Sequence, residues 1–159
     1  MSQDRPRTYP PTDLLYEAAG RHGTRLLRYS LALVYIWFGS LKLIGASPAF
    51  ALIGATLPWL DPHLTVPVLG VVEVLLGVGL LLGRAPNLIL VGVLTHLLGT
   101  FLTFPIAPGW TFHGHDPWRL TQDGEFVLKN LVLICAATVL LGSATTRRAP
   151  APEFQMTPD

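Results

Sequence analysis

An all-α integral membrane protein, a bundle of four spanning helices, is the fold class this sequence predicts, and three observations predict it. Half of the 159 residues are hydrophobic and only 13% are charged, whereas a soluble domain carries about 25% charged residues. The apolar residues gather into four runs near 26–43, 66–82, 88–104 and 125–141, each close to the roughly 20 residues that cross a bilayer. The basic residues flank alternate ends of those runs, as they do in membrane proteins of fixed orientation. The mean hydropathy of +0.47 agrees. The length suits a single domain. A net charge of +1 offers no field for nucleic acid. The only cysteine, Cys135, excludes an intrachain disulfide.

Residues 1–25 read as a polar cytoplasmic segment, with Pro6, Pro10 and Pro11 near its start and Arg5, Arg7, Arg21 and Arg25 along it. The first dozen residues are expected to be mobile. Asp13 to Ala19 have the composition of a short surface helix, with Thr12 as its N-cap. The first span, 26–43, ends on Tyr35-Ile36-Trp37-Phe38-Gly39-Ser40-Leu41-Lys42. A cleavable signal peptide competes for this pattern, since small residues follow at Gly45-Ala46-Ser47. The run is long for that, and the later apolar segments need a membrane in any case.

Residues 47–65 are too apolar for an ordinary loop and, broken by Gly54, Pro58 and Pro62, too short to span. They read as an interfacial or re-entrant segment with Trp59 at headgroup level. The second span, 66–82, carries Glu73 as its only charge, and its Gly70, Gly77 and Gly79 permit close helix approach. Gly83-Arg84-Ala85-Pro86-Asn87 is a tight turn that makes the third span, 88–104, an antiparallel neighbour with His96 near its middle. The connection 105–124 is the longest polar stretch and holds Trp110, His113, His115, Asp116, Trp118 and Arg119. The fourth span, 125–141, carries Lys129 early and stops at Gly142. These limits define a transmembrane domain over 26–142 and a disordered cytoplasmic tail over 143–159.

Orientation follows from charge. Arg21, Arg25, Arg28, Arg84, Arg147 and Arg148 share one side, while the other side has Arg119 beside Asp61, Asp116, Asp123 and Glu125. Both termini are therefore expected in the cytoplasm. Trp59, Trp110 and Trp118 then form the outer half of an aromatic belt.

The intramembrane polar residues are the candidate site. Lys42 ends the first span on the outer side. At 1.5 Å per residue, Glu73 lies about 10 Å inward of Val66 and Lys129 about 4–5 Å inward of Phe126. An unpaired charge at the centre of a span costs about 2.5–3.5 kcal/mol on insertion scales, so Glu73 should pair with Lys42 or Lys129. Lys129 alternatively snorkels to the interface. His96, with Thr95, Thr100 and Thr103 nearby, is either a hydrogen-bonded packing residue or a proton relay and quinone contact. Haem ligation by two histidines fails, because no second histidine lies at that depth. His113, His115 and Asp116 are a weak candidate metal set, set against the plainer reading of a solvated loop, and no metal site is expected elsewhere.

Arg28-Tyr29-Ser30 through Trp37-Phe38-Gly39-Ser40-Leu41-Lys42, with Val71-Val72-Glu73-Val74-Leu75-Leu76-Gly77, resemble the first two helices of DoxX-like four-helix membrane proteins. Leu120-Thr121 through Gly124-Glu125-Phe126-Val127-Leu128-Lys129-Asn130 are similar to the last helix of that group, and of its YkgB-like (RclC-like) branch in particular. The resemblance covers roughly 25–142. It implies a bacterial inner-membrane protein concerned with oxidant, thiol or sulfur homeostasis, and it carries Lys42, Glu73 and Lys129 over as site positions. The leading expectation is a membrane subunit of a redox system, at most one part of a quinone-linked oxidoreductase. A quinone would be its cofactor, with Trp37, Lys42, Glu73 and His96 around it. Its partners would be the bilayer and either a redox enzyme or further copies of the chain. A non-catalytic anchor, and a small-solute or proton carrier, are the competing functions.

Overall fold

The computed structural model describes residues 11–114 and 116–146, which are helical apart from turns and one isolated bridge between Phe112 and Leu120. The expectations for the first ten residues, for the tail from Arg147 and Arg148 onward, and for His115 lie outside the described residues. Four helices are long and apolar enough to cross a membrane: Tyr16–Leu43, Pro62–Leu82, Pro86–Ile106 and Gln122–Ala144.

The first helix, α1 (Pro11–Leu43), is longer than the run that predicts it. The expected surface helix is instead the start of α1, and Thr12 lies within the helix rather than at a cap of its own. Gly20 and Gly23 cost about 1 kcal/mol each relative to alanine, which does not stop a helix already propagating from its spanning part. At 1.5 Å per residue, 33 residues extend about 50 Å, so the polar turns project well beyond a hydrocarbon layer about 30 Å thick.

A short helix, α2 (Phe50–Thr56), occupies the apolar connection. The second span, α3 (Pro62–Leu82), starts four residues earlier than its hydrophobicity suggests. Asp61 caps it, accepting from the His63 backbone N–H at 2.9 Å, and Pro62 fills the first turn, where its missing N–H costs nothing. Pro62 is thus a helix start, not a break. Gly83 (φ 64°) closes α3 in the left-handed conformation, its N–H returning to the Gly79 carbonyl at 3.0 Å. Pro86 then opens α4 (Pro86–Thr100).

The third run is not one unbroken helix. The chain tightens at Phe101 and Leu102 and resumes as α5 (Thr103–Ile106), followed by α6 (Pro108–Thr111). Pro105 supplies no N–H to the Phe101 carbonyl, and its ring crowds that turn. The last span, α7 (Gln122–Thr146), runs past Gly142, where the sequence predicts a stop; Ser143 Oγ donates to the Val139 carbonyl at 2.9 Å.

Helices α1 and α3 meet along a glycine seam. A Cβ on Gly39 would stand 2.8 Å from the Gly70 carbonyl oxygen, and a Cβ on Gly70 would stand 2.8 Å from that of Gly39. Nothing larger than hydrogen fits at either position, so the two backbones touch. One half of the bundle is then filled by Leu31 and Ala32 of α1, Leu80 of α3, Leu90 and Val93 of α4, and Ala137 and Leu140 of α7. The other half, toward α2 and α5, is hollow.

Candidate functional site

The hollow half is a cavity of about 780 Å³, bounded by the end of α1, the first half of α3, the second half of α4, the start of α7, and α2 and α5. Its walls are mostly apolar, with Phe38, Leu52, Leu69, Leu97 and Phe126 among them. Leu102, Lys129 and Val132 line it and are also exposed on the outside of the bundle, so the space reaches the side of the protein near α7.

One wall is polar. Lys42 Nζ donates to both carboxylate oxygens of Glu73, at 2.9 and 2.7 Å, and both residues are buried, 7% and 6% exposed. The seam explains the register: the Cβ of Glu73 lies only 3.0 Å from where a Gly39 Cβ would stand. Glu73 therefore arrives beside α1 within reach of a lysine one turn beyond Gly39. The expected pair forms with Lys42. Lys129 is exposed, makes no ion pair among the described residues, and contributes only to the cavity rim.

His96 extends the wall inward. Its Nε2 is 3.3 Å from Glu73 Oε1, and its Nδ1 is 3.3 Å from the Tyr35 hydroxyl, which also lies 3.2 Å from the Val93 carbonyl oxygen. A lone pair on Nε2 would face a carboxylate oxygen, so the favourable tautomer places the proton on Nε2 and leaves Nδ1 an acceptor, which competes with the Val93 carbonyl for the single Tyr35 hydroxyl proton. The rings meet edge-on at 5.6 Å. Tyr35, His96, Glu73 and Lys42 thus form a continuous polar line from the packed half toward the open end. Tyr35 is absent from the candidates read from sequence. Its signal is its spacing: seven residues before Lys42, it shares that residue's helix face two turns away.

Trp37 does not belong to the site. It is 63% exposed and does not line the cavity. Two positions along a helix turn a side chain through about 200° at 3.6 residues per turn, which carries Trp37 away from the face of Tyr35. Thr95 is likewise exposed, whereas Thr100 and Thr103 line the cavity. Together with Thr56 of α2 and Asn130 of α7 they form a second polar patch: Thr56 Oγ1 lies 3.1 Å from Thr103 Oγ1, and Asn130 Nδ2 donates to Thr100 Oγ1 at 2.9 Å. Asn130 is also missing from the sequence candidates, being an uncharged polar residue near the start of an apolar span.

In the loop, the Asp116 carboxylate accepts from the Trp118 N–H at 3.0 Å, and the His113 N–H donates to the Arg119 carbonyl at 2.7 Å. These bonds shape a turn. Among the described residues no three His, Cys, Asp or Glu side chains converge as a metal site would need. No protein-family model, curated protein or solved structure matches this chain.

Proposed function

We propose that this chain is a DoxX-like protein of a bacterial plasma membrane that holds the head of a membrane quinone in its hollow half, as the membrane subunit of a redox system for oxidant or thiol homeostasis. Both termini then lie in the cytoplasm, α2 rests at or dips into the outer interface, and electrons come from a partner enzyme. The observation that carries this reading is one polar wall, Lys42–Glu73–His96–Tyr35, in an otherwise apolar cavity of about 780 Å³. Small-molecule sites have this size, about 300–1,000 Å³, and this character, a few convergent polar groups on apolar walls. A lysine donates to a ring carbonyl, a histidine and a carboxylate move protons, and the exposed lining residues Leu102 and Val132 leave a side exit for an isoprenoid tail.

A bare anchor needs no buried ion pair beside an empty space. A carrier needs polar groups on both sides of its site, yet inward of Tyr35 the bundle is closed by Leu31, Leu80, Leu90 and Val93. The ligand-binding reading is favoured over both. Its test is oxidant survival of a strain lacking the protein, complemented by the parent, by Lys42→Met/Glu73→Gln or by His96→Phe, with membrane abundance measured in parallel. Loss of protection at parental abundance is expected; full protection by both variants would leave the anchor. Orientation is checked separately with cysteines at Gln3 and Gly114 in a Cys135→Ser background. An impermeant thiol reagent should label only position 114 in intact cells, and labelling at position 3 would reverse the assignment.

A further inference from the structure

The cavity has a second polar patch that the Lys42–Glu73–His96–Tyr35 wall does not use, and its hydrogen bonds are unevenly satisfied. Thr100 Oγ1 lies 2.6 Å from the Leu97 carbonyl, so its one proton is committed there, and it can only accept from Asn130. That settles which way the Asn130 amide is turned: its nitrogen faces Thr100, and its oxygen points elsewhere. Thr103 Oγ1 donates to the Thr100 carbonyl at 2.8 Å, and Thr56 Oγ1 lies 2.7 Å from the Leu52 carbonyl. The threonine hydroxyl protons are thus spent on backbone or on each other. Asn130 is different. One amide N–H and the amide oxygen have no protein partner among the described residues, on a side chain that lines the cavity. Lys42, which lines the same cavity from α1, has three N–H donors and directs two of them to Glu73, which leaves one.

We propose that Asn130 is a second anchor of this site, a ligand-binding residue, and that the cavity is built for a flat ring bearing an oxygen at each end. One oxygen is held by Lys42 and the other by Asn130, from α1 and α7 respectively. An amide suits this position for a chemical reason. Its free N–H donates to a ring carbonyl, and its oxygen accepts from a ring hydroxyl, so the same side chain holds the quinone and the quinol. Neither a lysine nor a carboxylate alone does both without a change of protonation. This rests on the quinone reading above and adds to it the class of ligand and the residue that reads its far end.

The experiment uses the full chain in lipid nanodiscs and three probes: ubiquinone-1, ubiquinol-1 and a one-oxygen alkylphenol. Binding is titrated in the parent and in Asn130→Leu, with the thermal midpoint of each protein measured without ligand. Asn130→Leu is expected to weaken ubiquinone-1 and ubiquinol-1 about tenfold each, the scale of one or two lost hydrogen bonds, and to bind the alkylphenol as the parent does. Asn130→Gln, whose amide is one methylene longer, should recover part of the loss. Equal weakening of all three probes would mean that Asn130 only ties α7 to α4, and would overturn the proposal. Parental affinity for both two-oxygen rings would overturn it as well, leaving the quinone reading in place. No saturable binding of either ring by the parent would remove that reading, and this inference with it.

Discussion

The two halves of the bundle use the same four helices to opposite ends. Toward the termini, α1, α3, α4 and α7 close on Leu31, Leu80, Val93 and Ala137 with almost no exposure. Toward α2 and α5 they diverge around a cavity whose wall holds an ion pair, a histidine and an amide. The glycine seam runs through both halves, with Gly77 against Ile36 in one and Gly70 against Gly39 in the other. Thus α1 and α3 stay together along their length, and the opening is made by α4, α7 and the short helices. In lipid this division is informative. Association of spanning helices gains little from apolar burial, because lipid tails are as apolar as leucine, and depends on packing and polar contacts instead. In the hollow half the glycine seam keeps α1 and α3 together, the Asn130–Thr100 bond ties α7 to α4, and the space between them has room for a ligand.

The largest expected effect comes from breaking that pair on one side only. Glu73→Ala strands a buried ammonium and should destabilise the protein by about 3–5 kcal/mol, seen as a drop in thermal midpoint in nanodiscs. Glu73→Gln keeps a hydrogen-bond acceptor for Lys42 and should cost less than half as much. Equal costs would mean that the loss comes from the missing side chain rather than from a stranded Lys42 ammonium.

Much of this was legible before the structure, and the rest was not for physical reasons. Hydrophobic runs of sufficient length reveal the four candidate spans, because a bilayer requires them. Glu73 must have a partner, since lipid cannot solvate it, yet depth alone leaves Lys42 and Lys129 equivalent; the Gly39–Gly70 contact breaks the tie, and glycines record close approach without naming the partner helix. Tyr35 and Asn130 escape because both are common in ordinary packing. Trp37 misleads by adjacency: it borders the site in sequence and faces away from it in space. The spans begin earlier than hydrophobicity suggests, because Asp61-Pro62 is a capping signal rather than an apolar one.

An intermediate effect separates the halves by packing. Leu90→Ala, in the filled half, should cost about 2 kcal/mol, at the low end of the range for soluble cores because lipid replaces water around the separated helices. Leu69→Ala, which enlarges a space already empty, should cost well under half of that. Thermal midpoints of the two variants in one lipid make the comparison, and equal losses would contradict a hollow half.

The smallest effect is at Lys129. It is exposed at the rim and unpaired among the described residues, so Lys129→Gln should change stability by less than about 0.5 kcal/mol. A loss approaching that of Glu73→Ala would assign the buried carboxylate to the wrong lysine.

The most direct measurement titrates ubiquinone-1 into the parent and into Lys42→Met/Glu73→Gln in nanodiscs, with empty nanodiscs as the partition control. Exchanging both partners for uncharged side chains of similar size leaves no stranded charge, so the double variant should melt close to the parent. One quinone per chain is expected to bind saturably to the parent, and at least about tenfold more weakly to the double variant. Equal affinity in the two proteins, or parental uptake no greater than that of empty discs, would contradict it.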